Sequence, residues 1–578
     1  MGLTSSFQIG RSALTASQLA IQVAGDNLAN VSTPGFSRRA AGLAAAPGAG
    51  GIAGVSAGRG VSLIDISRRV DESLLTRLRG SVSDQEAALV SSDLFAQLES
   101  ITNDLSDFGL SAQLNEFYNS FSELANNPLG AETKSLIVEQ GVSLASYLQG
   151  LRSDLVDLRN QVDQQLSGAV SRADELLSEV ASLNLTIATT ELGSVENVAL
   201  RDQRDVLLEE LSGLIDISVI PQQNGAVDVR IGSTPVVQNA TSRGLDLKIE
   251  TENGEVVAKV VVPGDLEERV FPDSGRIGGL LEQRAGLVDQ TIDDLDRVTS
   301  SLIFEVNRIH SSGRSFPGLT STISERKVTL ADQTLALNDP ANTAFAELPF
   351  SAGNGSFKVL ITDKATGQTQ TVSIDIDLDG IDNTGAPGFA DDTSLADIQA
   401  ALDAVPNLNA TLGPDGRISI SANAGFEFGF ADDSSGALAT LGINTYFSGT
   451  DARTVGIRQQ LIDNPSLLVA GAEQGSNEAA LAIVELQNQS LSALDNASIS
   501  ESWRRIVDRT SVNSRSAQTR ADAETQVRAS LEAQRAAISG VSIDEESINL
   551  LSFQRQYQAA ARFISTVDEL TQTLISLV

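Results

Sequence analysis

Apolar residues at both ends of the chain recur in alternating steps of four and three. Near the N-terminus these are Leu3, Phe7, Gly10, Leu14, Ser17, Ile21, Ala24, Leu28 and Val31; near the C-terminus they are Leu550, Phe553, Tyr557, Ala560, Ile564, Val567, Thr571, Leu574 and Val578. That spacing lays each set along one seam of a helix. A single seam cannot cover itself in water. The pattern therefore predicts that the two terminal helices, roughly five hundred residues apart in sequence, pair with each other and then with neighbouring molecules. The competing expectation is that each helix docks on its own domain.

Between the ends the pattern changes character several times. The segment ANVSTPGFSRR, residues 29–39, carries a Pro34-Gly35 turn that ends the first helix and projects Phe36. Seven glycines follow among small residues from Gly42 to Gly60, with no preceding strand and no Walker or GxGxxG spacing, which reads as a flexible link. Helical periodicity resumes from about Asp65, through Leu94, Leu98 and Ile101, and again through Leu114, Phe117, Phe121 and Leu124. A long helix is predicted over 136–187. Short β-branched runs at 215–220, 226–231 and 255–262 read as a small antiparallel sheet. Helix returns over 278–310, and strands are expected at 356–361, 370–376 and 417–422 around a helix at 395–402. The stretch 465–540 reads as polar and helical.

The expected fold class is mainly α with inserted β-rich domains: terminal coiled-coil helices, a helical rod domain and an outer α+β or β domain. The division reads 1–40 N-terminal coiled-coil segment, 41–75 linker, 76–214 first rod part, 215–277 β-rich insertion, 278–325 second rod part, 326–449 acidic β-rich outer domain, 450–540 third rod part and 541–578 C-terminal coiled-coil segment. A length of 578 residues is too great for one core.

Composition narrows function by exclusion. A net charge of −35 makes nucleic acid or an anionic membrane surface an unsuitable partner, because phosphate neutralisation needs clustered Lys and Arg. Between residues 371 and 440 there are eleven Asp, one Glu and one Arg, a net −11 that suits a solvated outer domain. With no Cys and one His, there is no disulfide framework, thiolate nucleophile, HExxH motif or multi-histidine metal site. The N-terminal sequence has neither a basic leader nor a long apolar core, so the expectation is a cytoplasmic protein or one exported without a cleaved signal. No stretch reaches transmembrane length.

Three constellations invite chemistry, and for each a structural use is expected instead. Asp375, Asp377, Asp379 and Gly380 match the opening of a calcium loop, but the closing position is Ala386 and the flanking TVSI reads as strand. An exposed strand edge ending in an Asp-Gly turn is expected there, without metal. Asp202, Arg204 and Asp205 in LRDQRDVLLEELSGL fit helix capping and an ion pair. His310, in FEVNRIHSSG, fits a satisfied histidine at a helix end. No acid and base stand with a third orienting group, so no catalytic site and no cofactor are expected.

The quoted ends resemble a known family. ANVSTPGFSR with GRGVSLIDISRRVDESLLTRLR at 58–79, and SIDEESINLLSFQRQYQAAARFISTVDELTQTLISL at 542–577, are similar to the shared terminal regions of bacterial flagellar axial proteins. FGLSAQLNEFYNSFSELANNP at 108–128, LRDQRDVLLEELSGL at 200–214 and LGINTYFSGTDA at 441–452 narrow the resemblance to the hook-associated members of that family. It covers most of the chain and is weak over about 326–415. The resemblance implies a secreted, non-enzymatic structural component of the flagellum at the hook–filament junction. It would be exported by the type III apparatus and assembled as a ring of subunits between hook protein and the next hook-associated junction protein. It also implies an export chaperone on the C-terminal segment. On that reading Leu3, Phe7, Leu14, Ile21, Leu28, Phe36, Leu550, Phe553, Tyr557, Ile564, Val567 and Leu574 form the assembly interface. The alternatives are another axial subunit (hook, rod or flagellin) and a secreted calcium-dependent adhesin, for which the Asp375 segment is the support.

Overall fold

The computed structural model describes residues 3–46, 58–104, 109–191, 196–252, 255–264, 268–382 and 384–576. They divide into two compact units. The first comprises Met1–Leu94, Gln161–Ala285 and Arg515–Val578, and the second Phe95–Asn160 and Gly286–Ser514. Three helices, Glu72–Ile101, Ala131–Thr190 and Ile499–Ser539, contribute residues to both.

In the first unit the chain opens with the helix Leu3–Ala29 and closes with the helix Ile543–Ser576, and these two pack along one another. The closing helix is separated from Ile499–Ser539 by a short break at Gly540. Ser542 accepts from the Glu545 N–H, and Asp544, Glu545 and Glu546 crowd the first turn, where the helix dipole favours carboxylates. Two small sheets fill the middle of this unit. One has four strands, Ser218–Pro221, Val227–Ile231, Thr234–Gln238 and Thr241–Ser242; the other has three, Asp246–Glu252, Glu255–Val262 and Glu268–Val270. Both are antiparallel meanders; the single small sheet expected from the runs at 215–220, 226–231 and 255–262 is corrected to two, because 255–262 pairs with Asp246–Glu252 and Glu268–Val270 and not with the earlier strands.

The predicted link after residue 41 is corrected in part. Arg39–Ala45 pairs antiparallel with Val61–Arg68, with a bulge at Gly42/Leu43, and helix begins at Glu72 rather than near Asp65. The strands form because the hairpin docks on the N-terminal helix: the Val61 N–H donates to Ser12 Oγ at 3.2 Å. A partner 49 residues away is invisible to a window of sequence. The centre of the glycine-rich stretch, 47–57, lies outside the described residues.

In the second unit the helices Leu110–Asn126, Gln290–Ser311 and Glu478–Glu485 pack together, and the helical reading of 465–540 holds for Glu478–Glu485 and from Ile499 onward, the rest being turns and single-turn helices. The helix predicted over 278–310 is interrupted by a π-helical turn at Arg284–Asp289. Beside these helices sits a β-rich core. Gly355–Asp363 is flanked by Thr369–Ile376 and Phe426–Ala431; Ile418–Ala422 is flanked by Ser321–Ile323 and Leu408–Leu412. Phe357, Val359, Ile361, Phe428 and Phe430 from the first sheet meet Leu395, Ile398 and Leu402 of the helix Leu395–Asp403. The strands Leu408–Leu412 and Phe426–Ala431 were not anticipated although their apolar residues alternate, because Asn, Ala and Gly are poor strand formers that weaken the local signal. No described helix is long and apolar enough to cross a membrane.

Candidate assembly site

The terminal seam is real, and small residues occupy its centre. Gly10, Ala16, Ser17, Ala20, Ala24 and Asn27 are the positions of the N-terminal helix that the structure buries, together with Val23. A β-carbon on Gly10 would lie 2.5 Å from Ile564 Cγ1. The two helices therefore approach closely where glycine, serine and alanine stand, and the predicted large residues Leu3, Leu14, Ile21 and Leu28 flank the contact half-buried. On the C-terminal helix, Ala560 and Val567 are buried and Leu550, Phe553 and Ile564 half-buried, following the predicted three-four spacing.

Three predicted positions lie outside this pairing in the single chain. Phe7 is 43% exposed, Tyr557 40% and Leu574 56%. Ile548, Leu551, Phe563, Leu570 and Ile575 are exposed beside them, so the C-terminal helix carries a second apolar stripe that its own chain does not cover. Phe36 sits elsewhere: it is half-buried, with the Arg39 guanidinium 4.8 Å above its ring.

Where the two helices leave the seam, charged residues from the quoted motifs converge. Glu546, only 3% exposed, accepts from Asn27 Nδ2 at 3.1 Å and from Arg38 at 2.7–2.9 Å. Asn27, 1% exposed, also exchanges both of its amide groups with the Arg39 backbone, at 2.9 Å each way. Arg39 pairs with Asp26 and, at 3.6 Å, with Asp202. Asp202 and Asp205 hold Arg68 at 3.1 and 2.7 Å, and Asp205 holds Arg79 at 3.1 Å. Burial pushes the Asp202 carboxyl above its ordinary value, against the opposing pull of Arg68. The ion-pair expectation for this segment is met. The capping expectation is corrected, since Asn197 caps the helix Val198–Leu214, accepting from the Leu200 N–H, and Asp202 lies more than a turn inside. Arg204 turns the other way, donating to Asn184 Oδ1 at 3.1 Å and to the Gly225 carbonyl at 2.8 Å, and burial lowers its pKa to about 10.

Sequence reading missed Asn27, Arg38 and Glu546 as site residues. The available signal was the opposite charge of Arg38-Arg39 and Asp544-Glu545-Glu546 in the two terminal motifs.

The other two quoted motifs meet inside the second unit. Phe117 and Phe121 pack edge-on or tilted against Tyr446 and Phe447, with ring centroids 5.7–5.8 Å apart. Tyr446 donates its hydroxyl to the Ile137 carbonyl at 2.7 Å. Asn307 accepts from the backbone N–H groups of both Tyr446 and Phe447. His310 is buried between a 2.8 Å contact of Nδ1 with the Asn444 carbonyl and a bond accepted by Nε2 from the Val469 N–H, which sets the neutral Nδ1–H tautomer. Burial lowers its pKa to about 4. This is a structural histidine, as its position at a helix end predicts.

Comparison with known proteins agrees with the geometry. The family described as flagellar hook-associated protein FlgK helical domain matches residues 95–322. The flagellar basal body rod FlgEFG protein C-terminal family matches 532–577, and the flagella basal body rod protein family matches 7–36. The chain is 24% identical to flagellar hook-associated protein 1 of Bacillus subtilis (strain 168), over 99% of each chain. It is also 24% identical to flagellar hook-associated protein 1 of Escherichia coli (strain K12), over 98% of each. The flagellar hook junction protein FlgK from Burkholderia pseudomallei shares its fold, with a TM-score of 0.50 and 16% identity, over 80% of this chain and 100% of that one.

Proposed function

We propose that this chain, which belongs to the family of flagellar hook-associated protein 1, is an exported structural subunit of the bacterial flagellum that joins the hook to the filament. The observation that carries this reading is the full-length match to those relatives in a chain whose paired ends leave an apolar stripe uncovered. Its role is mechanical and not enzymatic: packed surfaces, not reacting groups, do the work.

Assembly proceeds through the terminal pair. Each chain folds its two end helices against one another and presents Phe7, Tyr557, Leu574 and the neighbouring exposed side chains to the next copy. Burying a side chain of that size stabilises an interface by about 1.5–3 kcal/mol, so a stripe of six or more outweighs the entropy of ordering helices that are marginal alone. The stripe explains why such ends need covering before assembly, the service an export chaperone on the C-terminal segment would provide. The remaining partners are further copies in a ring, hook protein on one side and the next hook-associated junction protein on the other.

The test is a strain lacking this gene, viewed by electron microscopy with flagellin assayed in the medium. Intact hooks without filaments, with flagellin shed as monomer, are expected. Missing hooks would reassign the chain to a rod or hook subunit, and normal flagella would overturn the reading.

A further inference from the structure

We propose that Asp377, Asp379 and Asp392 form a calcium site in the β-rich core of the second unit. Asp377 follows the last residue of the edge strand Thr369–Ile376, and Asp379 precedes Gly380, whose φ of +69° turns the chain back. Asp392 arrives thirteen residues after Asp379, two before Ser394, which caps the helix Leu395–Asp403. Backbone pairing brings the segments together. The Thr393 N–H donates to the Asp377 carbonyl at 2.7 Å, and Thr393 Oγ1 accepts from the Asp377 N–H at 2.8 Å. One carboxylate oxygen from each aspartate lies within 4.8 Å of the other two.

An acidic cluster alone would be a solvated surface. Asp392 makes the difference. It is only 5% exposed, and while its Oδ2 accepts from the Gly380 N–H at 3.1 Å and from Asn338 Nδ2 at 2.5 Å, its Oδ1 is buried with no hydrogen-bond partner. Asn338 Oδ1 is likewise buried without one. A carboxylate withdrawn from water with one oxygen left unpaired is costly, and a cation held beside it by two exposed carboxylates would offset that cost. No Lys or Arg supplies it among the described residues. Lys358 and Arg417, two cations of this part of the chain, are engaged by Asp432 and Asp415.

The donor set is all oxygen, which selects a hard cation. Oxygens bonded to calcium at about 2.3–2.6 Å can stand as much as about 5 Å apart across the ion, whereas magnesium, at about 2.1 Å, needs them within about 4.2 Å in strict octahedral geometry. Three carboxylate oxygens gathered within 4.8 Å suit calcium, whose longer bonds and flexible shell tolerate uneven spacing, with water and backbone carbonyls completing the shell. The calcium loop suggested by Asp375, Asp377 and Asp379 thus has the wrong first and last members. Asp375 is not part of the cluster, and the closing carboxylate comes from Asp392 instead of position 386.

Calorimetric titration of the chelator-treated full-length chain with calcium chloride tests the site. One ion is expected, with a Kd of about 10⁻⁴–10⁻³ M, the range of extracellular calcium modules. Asp392→Asn should weaken binding by about tenfold or more. Because Asp392 also supports the turn, the exposed double variant Asp377→Asn/Asp379→Asn should do the same with an unchanged circular dichroism spectrum. Absence of binding up to about 10 mM calcium, binding unmoved by the double variant, or equally tight binding of magnesium would each overturn the proposal.

Discussion

Gly10 faces Ile564 with no room between them: a β-carbon on Gly10 would lie 2.5 Å from Ile564 Cγ1 and 3.1 Å from Phe563 Cδ1. Residues 554 positions apart in sequence thus set the distance between the terminal helices. Gly10→Val should force them apart and cost the pair about 1–3 kcal/mol, read as faster amide exchange in both helices. Gly10→Val combined with Ile564→Ala should recover part of that loss. Independent, additive effects of the two substitutions would mean that the contact does not hold the pair together.

Ile564→Asp and Leu551→Lys separate pairing from assembly. Ile564 lies in the intramolecular seam, so an aspartate there places an unpaired charge against Gly10 and frees both helices. Leu551 is 55% exposed on the uncovered stripe. Leu551→Lys should keep the helices paired and the chain soluble while blocking incorporation into flagella, and Ile564→Asp should lose both. Normal filament joining by Leu551→Lys would remove the stripe from the interface.

Glu546 is the buried carboxylate that ties the C-terminal helix to the N-terminal motif. Glu546→Ala removes the buried acceptor that Asn27 and Arg38 share, leaving Arg38 to Glu545 and Asn27 to the Arg39 backbone, and should destabilise the helix pair by about 1–3 kcal/mol. A double-mutant cycle with Asn27→Ala should show non-additivity in chemical denaturation, since both lesions break the Asn27–Glu546 bond.

His310 makes the second unit sensitive to acid. Its pKa falls from an ordinary 6.5 to about 4 on folding, so the unfolded imidazole takes up a proton that the folded one refuses. Its contribution to stability is unchanged above pH 6.5 and becomes increasingly unfavourable as pH falls from 6.5 to about 4, reaching on the order of 3 kcal/mol. Thermal unfolding should show wild type losing more stability between pH 7 and pH 5 than His310→Gln does, although the variant starts lower. Parallel pH profiles for the two would contradict the assignment.

Much of this architecture was legible as periodicity. The three-four spacing at both termini, the long apolar face that became Ala131–Thr190, and the β-branched runs between Asn-Gly and Pro-Gly turns are local patterns, and local patterns specify helix and strand wherever one face must be buried. The absence of Cys and the single His likewise removed whole classes of chemistry before any fold was known.

What the tertiary structure alone decided was rotation, partnership and convergence. Periodicity names a stripe but does not say which part of it touches the partner, so Gly10, Ser17 and Ala24 make the close contact while Phe7, Tyr557 and Leu574 face outward. The strands Arg39–Ala45 and Val61–Arg68 exist because they pair with each other and dock on the N-terminal helix through a contact that spans 49 residues. Glu546 finds Arg38 and Asn27 from more than five hundred residues away, and Asp392 closes a cluster that spacing alone would have ended at position 386. Hydrophobic pattern is a property of neighbours along the chain; charge pairing and ligand geometry are properties of neighbours in space, and only the fold makes those.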